Sequence, residues 1–192
     1  MDLTCVCAHA LDAPSAWVRR WTHLLAAGAT VLDVACGHGR HMRWLSEQGC
    51  QVTGLDRSAD ALAAAKAYGE VVLADIENND WPLLHNGVAR QFDGVVVTNY
   101  LWRALLPVIA ASVRPGGVLI YETFAQGNET VGKPSRPDFL LAHGELLEHF
   151  ANWQVVAYED GFLESPPRFV QRIAAIRPAP RPPESGVPRY SL

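Results

Sequence analysis

The chain has 192 residues, 49% of them hydrophobic and 19% charged, the make-up of one globular domain able to bury a sizeable core. No run reaches the roughly 18 unbroken apolar residues of a membrane helix. The opening MDLTCVCAHALDAPSAW lacks a basic stretch followed by an apolar one, so a cytoplasmic protein with no membrane partner is expected. The net charge of −4, without clustered basic residues, argues against nucleic acid as a partner.

The four cysteines, Cys5, Cys7, Cys36 and Cys50, are too few and too scattered for a disulfide framework. Cys5, Cys7 and His9 offer three metal ligands, but the spacing is wrong and no second pair follows. A reduced terminus without metal is the preferred expectation.

In chain order, PSAWVRRWTHLLAAG predicts a helix with Trp17, Val18, Trp21, Leu24 and Leu25 on one face, running from Pro14 to a stop at Gly28. TVLDVAC is a buried strand, GRHMRWLSEQG a helix with Met42 and Leu45 inward, and QVTGLD a second strand. SADALAAAKAYG follows as a helix capped by Ser58, then EVVLAD as a third strand. A turn-rich stretch from Ile76 to Gln91 precedes the strand FDGVVVTN. LWRALLPVIAASV is a helix with Pro107 early in it, RPGG a turn, and VLIYETF a fifth strand. Residues 125–142 show no regular period, and an irregular connection of that length is more often functional than ornamental. GELLEHF is a short helix; WQVVAYEDG and FVQRIAAIR pair as an antiparallel hairpin across about seven residues. The proline-rich residues 179–192 form a tail, disordered or pinned to the surface. Alternating strands and helices predict an α/β fold with an open, mostly parallel sheet in one domain over residues 1–178.

The chemistry gathers at VLDVACGHGR. A glycine turn from a first strand into a first helix presents backbone N–H groups and a positive helix end to an anion. The dinucleotide fingerprint Gly-x-Gly-x-x-Gly has Gly37 and Gly39 here but Met42 in third place, where a methionine is expected to crowd helix away from strand. What is present instead is an acid followed by small residues on a two-residue beat: Asp33, Ala35, Gly37, Gly39, with Cys36 inside the loop. Asp56 ends the second strand 19 residues after Gly37, where a carboxylate accepts from ribose hydroxyls in either nucleotide family. Arg57 follows it, and Asp75 with Ile76 follows the third strand.

Together these residues resemble the motifs of the class I S-adenosylmethionine-dependent methyltransferases, with Ala35 in place of one motif glycine. The Pro-Gly-Gly turn into the fifth strand and the terminal hairpin also resemble that family. The resemblance implies a Rossmann-like, doubly wound seven-stranded sheet, mostly parallel with a C-terminal antiparallel hairpin. It implies S-adenosylmethionine as cofactor. The loop would surround its amino acid end, Asp33 would take the ammonium, Asp56 the ribose, and Asp75 and Ile76 the adenine, with Arg57 against the ring. Arg40 is either a carboxylate partner or an exposed helical arginine. Asn99 is expected to touch the cofactor.

On the acceptor side stand Tyr100, Arg103, Tyr121, Glu122, Phe124 and Arg136. Tyr100 would wall the methyl group. Glu122 is either a base or a strand-end acid bonded to a neighbouring loop, and Arg103 either a surface residue or a substrate anchor. Trp17 would close a lid within residues 1–28, or simply pack. The C-terminal half resembles small bacterial methyltransferases of the tellurite-resistance type, whose acceptors are small molecules. The hairpin here lacks a histidine, for which Arg168 or Arg136 would substitute. The competing expectations are a nicotinamide-dependent oxidoreductase, a non-catalytic cofactor-binding module, and an RNA or protein acceptor.

Overall fold

The computed structural model describes residues 13–180 and 189–192. Cys5, Cys7 and His9, and the middle of the tail, lie outside the described residues. The strands are β1 (Thr30–Val34), β2 (Gln51–Asp56), β3 (Glu70–Leu73), β4 (Leu84–His85), β5 (Val88–Ala89), β6 (Phe92–Thr98), β7 (Val113–Phe124), β8 (Gln154–Glu164) and β9 (Pro167–Ile176). The α-helices are α1 (Ala16–Trp21), α2 (Arg40–Glu47), α3 (Ala59–Ala65), α4 (Leu106–Ser112) and α5 (Glu145–His149).

Among the described residues, seven strands form one sheet in the order β3-β2-β1-β6-β7-β9-β8. The first five are parallel, and β9 runs antiparallel to both of its neighbours. Strand order reverses between β1 and β6, which opens a crevice beyond their carboxyl ends.

The two-residue alternation of the strands divides the core into two layers. Leu32, Val34, Val95, Val97, Leu119 and Tyr121 pack with the residues of α4 and α5 on one face. Val31, Val96, Val118 and Ile120 pack with Trp17, Trp21, Met42 and Leu45 on the other.

Four elements depart from the sequence expectation. The first helix ends at Trp21 and continues as a 3-10 turn over Thr22–Leu24. Thr22 Oγ1 donates to the Val18 carbonyl at 2.6 Å, a local bond that competes with further helix. The Ile76–Gln91 stretch holds the small ribbon of β4 and β5. RPGG lies inside the long β7, whose register with β6 shifts there. The closing hairpin connection is only Ser165 and Pro166, because Pro167 opens β9, a position where a missing N–H is tolerated. At the far end, the Ser191 carbonyl lies 3.2 Å from His23 Nε2, which places the last described residues against the turn after α1.

Candidate active site

The loop between β1 and α2 carries a left-handed backbone at Ala35 (φ 55°), Gly37 (φ 55°) and Gly39 (φ 79°). Asp56, at the end of β2, braces it: Oδ2 accepts from the Gly37 N–H at 2.8 Å and Oδ1 from the Ser58 N–H at 2.9 Å. A Cβ on Gly39 would stand 2.9 Å from the Ala65 backbone, so this glycine lets α3 close on the loop.

Met42 does not crowd the helix away. It is fully buried, and the facing residue of β2 is Gly54, where a Cβ would lie 2.3 Å from Met42 Sδ and 2.8 Å from Cys36 Sγ. The glycine that allows close packing has moved from the helix to the strand. The Cys36 thiol stands in this contact and also donates to the Gly37 carbonyl at 3.6 Å.

Asp33 lies at the base of the loop, 1% exposed, and neither carboxylate oxygen has a hydrogen-bond partner. Burial pushes its pKa up to about 8, with the Arg40 guanidinium opposing and Asp56 adding to the shift. A buried, unpartnered carboxyl is costly to the fold and points to a missing cation or donor.

Beyond the strand ends, three hollows share walls and form one groove. The first, of about 440 Å³, is bounded by Asp56, Arg57, Asp75, Ile76, Glu77 and Tyr100. Glu77 and Tyr100 pass into the second, which adds Asn99, Leu101 and Phe124. Asn99 and Phe124 pass into the third, an open cleft of about 1740 Å³ with Arg40, Glu122, Lys133 and Arg168. Asp75 closes its own turn, accepting from the Asn78 amide at 2.8 Å and the Glu77 N–H at 3.2 Å, and the Asn78 bond leads in holding its carboxyl below the usual range. The Tyr100 hydroxyl is buried beside Glu77; burial, then the Glu77 charge, pushes its pKa up. Asn99 has φ 54° and donates its N–H to the Glu122 carbonyl at 2.9 Å.

Residues 31–117, which hold the loop, both strand-end acids and the walls of the first hollow, match the family model of a methyltransferase domain. The chain is similar to methyltransferases in sequence as well. It is 36% identical over 108 residues to the malonyl-[acyl-carrier protein] O-methyltransferase of Salmonella typhimurium, covering 52% of this chain and 41% of that protein. It is 26% identical over 141 residues to the probable S-adenosyl-L-methionine-dependent methyltransferase TehB of Haemophilus influenzae, covering 70% of this chain and 49% of the other. The chain thus spans less than half the length of these curated relatives. The fold is also that of the crystal structure of TehB from Haemophilus influenzae, with a TM-score of 0.69 at 20% identity over 85% of this chain and 62% of that one. It resembles magnesium protoporphyrin IX methyltransferase from Synechocystis, solved with bound SAH, at a TM-score of 0.62 and 18% identity over 84% and 81%.

Several acceptor-side expectations are corrected. Tyr121 is fully buried on the face away from α1, and its hydroxyl donates to the Tyr100 carbonyl at 3.0 Å; it supports the wall without lining it. Arg103 is a fastener: it donates to both Glu145 oxygens at 2.6 and 2.9 Å and to the Asp138 and Leu140 carbonyls. Arg136 is exposed and paired with Asp138 at 2.8 Å; it lies over Phe139, which lines the second hollow, but lines none of the three itself. Trp17 is core, 2% exposed, with its indole N–H on the Ile173 carbonyl at 3.3 Å; residues 13–16 form the cleft wall in its stead.

Glu122 does face the cleft, yet both oxygens are engaged. Oε1 accepts from Ser15 Oγ at 2.9 Å, and Oε2 from Arg172 at 3.1 Å. The Ser15 N–H donates to His41 Nε2 at 3.1 Å, so the ring proton sits on Nδ1, 3.3 Å from Thr98 Oγ1. Burial, then Arg40, drives the His41 pKa down to about 3, so the ring is neutral. This clasp of Ser15, His41 and Glu122 joins residues 26 and 107 apart in sequence, and no local pattern announces it.

Proposed function

We propose that this chain is an S-adenosylmethionine-dependent methyltransferase acting on a small-molecule acceptor. The observation that carries the proposal is the buried, unpartnered Asp33 carboxyl under a loop of left-handed backbone. An ammonium group, which brings donors and a positive charge, satisfies it; the pyrophosphate of a nicotinamide dinucleotide brings only acceptors and negative charge.

Asp33 would hold the cofactor ammonium, Arg40 its carboxylate, and Asp56 the ribose hydroxyls. Asp75 and Ile76 would flank the adenine, with Arg57 at its edge and Asn99 and Tyr100 between the cofactor and the acceptor cleft. When bound, S-adenosylmethionine supplies a sulfonium methyl for in-line displacement, the electron pair of the breaking bond returning to sulfur. The protein's part is to align the reactants and exclude water. With Glu122 committed to Ser15 and Arg172, an acceptor that arrives already nucleophilic, such as a thiolate, amine or oxyanion, suits the site best.

The test is a screen of the purified protein with methyl-labelled S-adenosylmethionine against thiols, amines, carboxylates and metalloid oxyanions, with RNA and protein extracts alongside. Label transfer to a small molecule is the expected result. Transfer only to RNA or protein would move the acceptor class. Cofactor binding without transfer to any acceptor would favour a non-catalytic module.

A further inference from the structure

The groove is electrically uneven along its length. Its first hollow is lined by Asp56, Asp75 and Glu77 against Arg57 alone, whereas its third carries Arg40, Lys133 and Arg168 against Glu122 and Glu164. Glu122 is already countered from behind by Arg172, which also binds Glu159 at 2.6 Å. Arg168 Nη2 stands 3.7 Å from the same Glu122, and its buried Nε has no partner. Both guanidinium groups thus meet Glu122, Arg172 with Glu159 as its second partner and Arg168 only at 3.7 Å, and Lys133 is exposed on the rim. Pro14, Ala16, Phe124, Pro166 and Pro167 make part of this wall apolar, beside the polar Ser15, Asn99, Asn128 and Ser165. The wall is also built firmly. Asn128, 1% exposed, donates to the Pro134 carbonyl and accepts from the Phe169 N–H, tying the Lys133 segment to the hairpin that bears Arg168.

We infer that the acceptor is an amphipathic organic anion, its anionic group anchored by Arg168 and Lys133 and its apolar body laid on Phe124 and the prolines of the hairpin. This rests on the methyltransferase reading, in which Arg40 is committed to the cofactor. Charge alone would suit a bare inorganic oxyanion, but four or five atoms leave the apolar part of the wall unused. The half-buried Arg168, whose ion pair with Glu122 is long at 3.7 Å, favours a carboxylate-like head, and a hydrophobic flank favours a tail.

The experiment is calorimetric titration of the protein saturated with S-adenosylhomocysteine, using octanoate, acetate, octylamine and inorganic sulfate as probes. Octanoate should bind at least tenfold more tightly than acetate, octylamine or sulfate. Arg168→Gln and Lys133→Gln should each weaken octanoate by about tenfold. Glu164→Gln should tighten it by about twofold, since it removes a rim charge of the wrong sign. The inference is overturned if octylamine matches octanoate, if sulfate matches it, or if neither Arg168→Gln nor Lys133→Gln changes its affinity. Circular dichroism and S-adenosylhomocysteine affinity check each variant's fold; should Arg168→Gln misfold, Lys133→Gln and Glu164→Gln decide. A protein that takes up S-adenosylhomocysteine but not octanoate loses this inference alone. One that takes up neither S-adenosylhomocysteine nor S-adenosylmethionine loses the methyltransferase reading as well.

Discussion

Burial holds the Asp33 pKa at about 8, so the folded chain keeps a proton at neutral pH that the unfolded chain releases near about 4. The stability this group contributes is therefore full below about pH 4 and falls as pH rises toward 8. Asp33→Asn should raise the melting temperature at pH 7, with the difference from wild type closing as pH approaches 4, while S-adenosylmethionine binding is lost. Thermal melts across that range check it, and an unchanging difference would contradict the assignment. His41 acts in the opposite sense, since a neutral folded ring with pKa about 3 loses stability as pH falls below about 6.5. Asp33 and Asp56 were legible in the sequence because an acid at a strand end is fixed by local spacing. Arg103, Arg136 and Glu122 were not, because the partners of Arg103 and Glu122 lie far along the chain, and nothing local to Arg136 reveals which way its loop faces. Tyr121 is an intermediate case. Its parity with Leu119 places it on the α4 face, a consequence that strand alternation already contains.

At the scale of elements, the contact between α2 and β2 depends on an exchange of sizes. Gly54→Ala would drive a Cβ into Met42 and Cys36 and should cost about 1–3 kcal/mol in chemical denaturation. Met42→Ala added to Gly54→Ala should recover part of that loss, giving a favourable coupling in the double-mutant cycle; strict additivity would show that the two residues do not share the space. The strand and helix order was legible from alternation and caps. The two-residue hairpin turn was not, since Pro166 and Pro167 read as loop residues, and the 3-10 ending of α1 turns on one threonine side chain. Ser15 has a double task, capping α1 through a 3.0 Å bond from the Trp17 N–H and donating to Glu122. Ser15→Ala should destabilise by about 1–3 kcal/mol in urea unfolding, because a cap is lost and a buried carboxylate loses a donor. A loss well under 1 kcal/mol, by the same estimate, would mean that the clasp adds little.

Over the whole molecule, the sheet reversal between β1 and β6 sets the loop, the strand-end acids and the basic cleft along one groove. Acidic side chains dominate where the adenosine would lie, and basic ones where the acceptor would enter. The basic end was hard to foresee, because Arg40, Lys133 and Arg168 come from three distant segments and the net charge of −4 hides them. The acidic end was readable because one loop and two strand ends build it. The most direct measurement is therefore calorimetry of the purified chain with S-adenosylmethionine, NADH and NADPH, in wild type and Asp56→Ala. Saturable S-adenosylmethionine binding that weakens tenfold or more in the variant, about 1.4 kcal/mol, is the predicted result. Nicotinamide binding without S-adenosylmethionine binding would contradict it.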